Sequence, residues 1–213
     1  WWLLDVMALL EGSTLPHICC CHVALLTSDH KLLLTRKSRH SDFAGLNWCP
    51  SFEEQASNGS GKDPGSKSAI DPSPEANVIR GLHEEMNIPA NWVDELRFYA
   101  LATDWKYSDL AIISTVRLNR SSSDVFPASG VDFGEFERDK NTRIQYQWTS
   151  ASEQNIVKLF HSSAFGAGQR AGVWHPSSKA RFFAVMTAMV RWGWTTWPKW
   201  DDASHRSSYT ERQ

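Results

Sequence analysis

Apolar positions along this 213-residue chain switch between two periods, one of strand and one of helix. Ile18 to Leu26 is a continuous apolar run, as a strand covered on both faces requires. Ser28-Asp29-His30-Lys31 supplies a turn, and Leu32 to Thr35 starts a second strand. Leu96 to Ala102 and Leu110 to Leu118 read as two more. Later, Ile144, Tyr146 and Trp148 alternate with Arg143, Gln145 and Gln147, the pattern of a half-buried strand.

Helical spacing takes over between these runs. Ser73 can cap a helix, Pro74 suits its first turn, and Glu75 complements its positive end. Ala76, Ile79, Leu82 and Met86 recur at helical spacing and are expected against the core. Asn87 can take the left-handed stop position, and Pro89 prevents continuation. Ser150-x-x-Glu153 reads as a capping box opening a second helix through His161. A last helix is expected from Ser178 to Trp192, with Phe182, Val185, Met186 and Met189 on one face and Gly193 at its end. The order predicts one α/β domain with a mixed sheet between helices. It is expected over residues 17–195, after an N-terminal helical segment (1–16) and before a polar, tryptophan-containing tail (196–213). Two polar stretches interrupt the pattern. Residues 56–73, rich in Gly, Ser, Lys, Pro and Asp, read as a mobile loop. Residues 119–141 form a long connection that contains Glu135 and Glu137.

Charge is nearly balanced, 22 basic against 24 acidic residues, which removes any general electrostatic case for nucleic acid or membrane. No segment approaches the roughly 18 apolar residues of a membrane span. The chain opens on Trp1 rather than Met, as a trimmed chain or a piece of a longer protein would. Cys19, Cys20 and Cys21 are consecutive, and neighbours on a strand point to opposite faces, so they suit a buried strand in a reducing, cytoplasmic compartment. Eleven tryptophans are the one strong compositional departure. Trp192, Trp194, Trp197 and Trp200 cluster with few cations beside them, which favours contact with a protein partner or with Trp1-Trp2. Trp105 and Tyr107, between two strands, are better placed to stack on a substrate base. Arg36 opens a basic run, 36–40, expected on a loop and suited to phosphate contact.

Arg80-Gly81-Leu82-His83-Glu84-Glu85-Met86-Asn87-Ile88 carries the densest chemistry. Adjacent carboxylates repel each other. Facing inward, Glu84 and Glu85 make a ready site for a hard cation; facing water, they are a solvated helix end. Arg80 and Glu84 stand four residues apart, so the arginine can hold that glutamate in place.

This segment resembles the helix of Nudix hydrolases, which reads Arg-Glu-aliphatic-x-Glu-Glu-x-Gly-aliphatic. Arg80, Leu82, Glu84, Glu85 and Ile88 match, while Gly81 and Asn87 depart. Trp48 to Gln55 resembles the tryptophan, proline and paired glycines that open the motif, with Ser51 and Phe52 in place of the glycines. The resemblance spans roughly residues 17–192. It implies an α/β/α sandwich with a mixed sheet, and cleavage of a diphosphate linkage in a nucleoside diphosphate derivative with Mg²⁺ or Mn²⁺. It further implies that Glu84 and Glu85 hold metal and act in catalysis, with Arg80 orienting them. Gly81 removes a carboxylate that in many members binds metal or serves as base. Glu54, or its neighbour Glu53, is expected to complete the metal set from upstream. Glu135 or Glu137 is expected to act as a substitute base, as a loop glutamate does in some relatives. Pro72 stands where the family carries a glutamate before the helix. Glycine within a helix costs about 1 kcal/mol relative to alanine, so either another backbone approaches Gly81 closely or selection there has relaxed. The departures also support a second expectation, a catalytically inactive Nudix-like module that senses a nucleotide or binds a protein.

Overall fold

The computed structural model describes residues 18–40, 44–56, 71–104, 109–125 and 145–195. β1 (Ile18–Leu26) turns back into β2 (Lys31–Arg36). β3 (Trp48–Pro50) runs antiparallel to β2, and β4 (Phe52–Gln55) antiparallel to β1. β5 (Val93–Asp104) pairs antiparallel with β6 (Asp109–Leu118), and β6 runs parallel to β1. β7 (Tyr146–Ser150) pairs antiparallel with β2, which completes a seven-stranded mixed sheet. β8 (Ala164–Phe165) and β9 (Gly172–Val173) form a separate two-stranded hairpin.

Helices cover both faces. α1 (Pro74–Met86) packs Val78, Leu82 and Met86 against Val23, Leu25, Leu33 and Phe52. α2 (Glu153–His161) and α3 (Ser178–Arg191) pack Ile156, Leu159, Phe182, Val185 and Met189 against Ala24, Leu26, Leu32 and Leu34 on the other face. Alternate residues of β1 therefore enter different cores, which is why its run is apolar apart from His22. This is the expected α/β/α sandwich. Among the described residues no helix is long and apolar enough to cross a membrane.

Local signals held best at α1. The Ser73 hydroxyl accepts the Ala76 N–H at 3.2 Å, and Asn87 takes a left-handed conformation with φ 53°. Its buried stripe is rotated from the apolar spacing: Asn77, Gly81 and Glu85 are buried, while Ala76 and Ile79 are only half so. The expected capping box is corrected. Ser150 still pairs with Lys31 as the last residue of β7, and α2 starts after Ser152 with no side-chain cap. The basic run is corrected too, because Arg36 ends β2 and is buried together with Lys37.

The stretch 48–55 forms two strands that the pattern did not suggest. β1 and β2 separate beyond their shared turn, and β3 and β4 fill the gap, one pairing with each. Ser51 sits at the split with φ 82°, in the left-handed region that glycine tolerates best. Its hydroxyl accepts the Leu25 N–H at 2.8 Å and donates to the Leu33 carbonyl at 2.9 Å. One side chain thus replaces a ladder bond between β1 and β2 and offsets the backbone cost. Ser51→Ala keeps the conformation and removes both bonds, an expected loss of about 3 kcal/mol in urea unfolding. Ser51→Gly should lose less, because it relaxes the backbone. Equal stability of the alanine variant and the parent would refute this role.

Candidate functional site

Arg80, at the midpoint of α1, gathers acidic groups from three parts of the chain. Its Nη1 donates to Glu54 Oε1 at 2.6 Å and to Glu84 Oε2 at 2.8 Å. Nη2 donates to Asp71 Oδ2 at 2.8 Å and to the Gln55 carbonyl at 2.7 Å, and Nε donates to Asp71 Oδ1 at 3.1 Å. Asn77 ties the same pieces together, its Nδ2 donating to Asp71 and to the Gln55 carbonyl. Partial burial alone would lower the Arg80 pKa. The hydrogen bond to Asp71, the charge of Glu54 and the hydrogen bond to Glu84 outweigh it and raise the pKa above its ordinary value.

Glu54 reaches this group through the gap at residue 81. A Cβ built on Gly81 would lie 2.7 Å from Glu54 Cβ and 2.8 Å from Phe52 Cε2. What approaches the mid-helix glycine is not another backbone but the side chains of Glu54 and Phe52 on β4. Glu54 alternates with Glu53 along β4, so it turns toward α1 while Glu53 turns toward α3. Gly81→Ala should gain helix propensity of about 1 kcal/mol and lose more to the clash, since overpacking costs about 1–3 kcal/mol. Thermal unfolding checks the sign. A stabilised alanine variant would show that β4 can yield there.

Of the remaining expected residues, Glu84 is half-exposed on Arg80, and Glu85 is buried on α1. Asp71 was missed. It stands one residue before Pro72, where the resemblance placed a glutamate, and its signal was an acidic side chain just ahead of the helix. Glu135, Glu137, Trp105 and Tyr107 lie outside the described residues. Arg36 is corrected as a phosphate contact. It donates to the carbonyls of Leu46, Gln169 and Ala171 and to Gln145 Oε1, and so holds the 169–171 segment to β2. Trp192 and Trp194 pack on the α2–α3 core, with Trp194 stacked on His30 at 3.8 Å and Arg117 over Trp192. Trp197 and Trp200 lie outside the described residues.

A second polar group lies behind β4. Among the described residues, His22, Glu53 and His175 bring three donor atoms within 4.8 Å of one another. Glu53 Oε1 is 3.5 Å from His22 Nδ1 and 3.2 Å from His175 Nδ1. A cation already faces this group. Arg181, fully buried on α3, donates through Nη2 to Glu53 and lies 3.1 Å from His22 Nδ1. Lys37 Nζ bonds the other Glu53 oxygen at 2.6 Å. Burial alone would raise the Glu53 pKa; the facing His22, Arg181 and Lys37 hold it well below the usual carboxylate value. Burial pushes His175 down to about 3, against the pull of Glu53. Two side-chain cations already compensate the single carboxylate, so adding a divalent ion would accumulate buried positive charge. His22, next to the cysteine triplet in the chain, faces Glu53. Cys21 and Cys49 are buried thiols, and burial raises the pKa of each.

The front group has the opposite balance. Glu54, Glu84 and Asp71 share one guanidinium, which leaves excess negative charge and only oxygen donors. That chemistry suits Mg²⁺ or Mn²⁺ better than softer metals.

No family model matches the chain, and no curated protein matches it. Solved structures do resemble it. DR0079 from Deinococcus radiodurans is 11% identical, with 81% of this chain and 85% of that one covered and a TM-score of 0.48. The MutT protein of Methanosarcina mazei Go1 is 14% identical, covering 83% and 98%, with a TM-score of 0.44. A C. elegans Ap4A hydrolase is 13% identical, covering 82% and 98%, with a TM-score of 0.42.

Proposed function

We propose that this chain is a divergent Nudix-type hydrolase that cleaves a diphosphate linkage in a nucleoside diphosphate derivative. Glu54, Glu84 and Glu85 would hold Mg²⁺ or Mn²⁺, with Arg80 and Asp71 fixing the carboxylates. Bound there, the ion would withdraw charge from the diphosphate and lower the pKa of a bound water. The observation that carries the reading is the fit of Glu54 into the space beside Gly81, where it joins Glu84 on Arg80. A strand carboxylate thereby stands in for the one missing from the helix. Glu135 or Glu137 is proposed as the base, and Trp105 and Tyr107 as a stacking surface for the base of the nucleotide.

The test is a panel of nucleoside diphosphate compounds incubated with Mg²⁺ or Mn²⁺. Cleavage of at least one compound is expected, with rates lower on the order of 100-fold in Glu54→Gln and in Glu85→Gln, equivalent to losing a few kcal/mol of charge stabilisation. Cleavage of none, or undiminished rates in both variants, would overturn the proposal. A nucleotide sensor is the second reading, favoured by Arg80 Nη1 engaging both Glu54 and Glu84. Its signature is a compound that raises Tm and is not cleaved.

A further inference from the structure

We infer that Arg181, on the far face of the sheet, is a positioning residue for the carboxylate group on the near face. The inference rests on the functional reading above. Arg181 Nη1 donates to the carbonyls of Pro50, at 2.9 Å, and Phe52, at 3.2 Å, while Nη2 bonds the Glu53 carboxylate. These acceptors flank the left-handed Ser51 and end one residue before Glu54. Ser51 fixes the same bend from the opposite side, through its hydroxyl bonds to β1 and β2. The backbone that carries Glu54 is thus clamped by a side chain at the split in the sheet and by a guanidinium from α3.

The clamp matters because the near side has no slack. Glu54 Cβ lies 2.7 Å from the point that a Cβ on residue 81 would occupy, so β4 and α1 are already in closest contact. A displacement of β4 by a few tenths of an ångström would change how Glu54 meets Arg80 and any ion shared with Glu84. Arg181 is itself aimed by Ser177, whose hydroxyl accepts from Nε at 3.1 Å and Nη2 at 2.8 Å. Lysine at 181 would keep a positive charge beside Glu53 but lose the planar fork that spans two carbonyls and a carboxylate. Arg181→Lys therefore removes the clamp without leaving Glu53 to His22 and His175 as an open metal site.

The experiment measures Mn²⁺ affinity of the full chain by electron paramagnetic resonance, well below the melting temperature. The parent, Arg181→Lys and Glu85→Gln are compared, with circular dichroism confirming that each is folded. Arg181→Lys is expected to bind Mn²⁺ about 10-fold more weakly, the scale of losing a partner that orients a ligand. Glu85→Gln is expected to lose more. A merely structural arginine would lower Tm and leave the affinity of the folded protein unchanged. Equal affinity in Arg181→Lys and the parent would overturn the inference while leaving the site reading intact. A parent that binds no Mn²⁺, or binds it as well after Glu85→Gln, would overturn both. Should Arg181→Lys fail to fold, Ser177→Ala loosens the arginine from outside the site. It should weaken Mn²⁺ binding in the same direction by a smaller factor, and unchanged affinity there refutes the clamp.

Discussion

Arg80→Ala is expected to destabilise the chain by about 3–5 kcal/mol, the scale of removing one partner from a buried ion pair. Glu54 is 7% exposed and Asp71 9%, so neither carboxylate has much water to take the place of the guanidinium. Glu84, half-exposed, should contribute little to the loss. The variant also leaves Asp71, Glu54 and Glu84 to repel one another. Divalent cations should therefore stabilise Arg80→Ala, by an amount that grows with concentration as binding to the folded state alone requires. Urea unfolding with and without Mn²⁺ measures both effects. A loss under about 1 kcal/mol, the median worth of an exposed ion pair, would show that Arg80 is a surface residue and not the hub of the site.

Acidification from pH 7 to pH 5 should cost about 2 kcal/mol through His175 alone. Its folded pKa is depressed to about 3, against about 6.5 for an ordinary histidine. Between those values the unfolded chain binds a proton that the folded chain refuses, so stability falls as pH falls, by up to about 1.4 kcal/mol per pH unit. Glu53 adds a second, lower window. Its folded pKa is depressed, so its stabilisation is present above the unfolded value of about 4.3 and is lost as pH falls below that. His175→Gln should be less stable at pH 7, yet should lose most of the slope between pH 7 and pH 5. Urea unfolding at both pH values checks this, and an unchanged slope would mean that His175 takes up its proton without breaking the network.

The sequence spoke clearly where a local interaction decided the outcome. α1 begins and ends where Ser73 and Asn87 place it, because capping depends on neighbours within one turn. β1 was legible because apolar residues on both of its faces enter the two cores. β3 and β4 were not, because each is short and their shared bend is set by distant partners, the Ser51 bonds to Leu25 and Leu33. The network around Glu53 was hidden for the same reason. His22, Glu53 and Arg181 come from three elements and His175 from the connection before α3, and Arg181 lies among the apolar residues of α3, where charge is not expected without a partner. In the candidate site, Arg80 and Glu84 could be paired from helical spacing. The joining of Glu54 and Asp71 to them needed the fold, since Glu54 stands 26 residues from Arg80 in the chain and Asp71 lies outside the helix.

Gly81 shows how a departure can carry information. Read locally, it removes a carboxylate and weakens a helix. In the fold it is the space that lets a carboxylate from β4 come in. That exchange is the core of the functional account.

Anomalous diffraction from crystals grown with Mn²⁺ tests it most directly. The account predicts one peak beside α1, with oxygens of Glu54 and Glu85 within about 2.0–2.6 Å, the range of hard-cation bonds. A peak at His22, Glu53 and His175 instead, or none at either place, would contradict it.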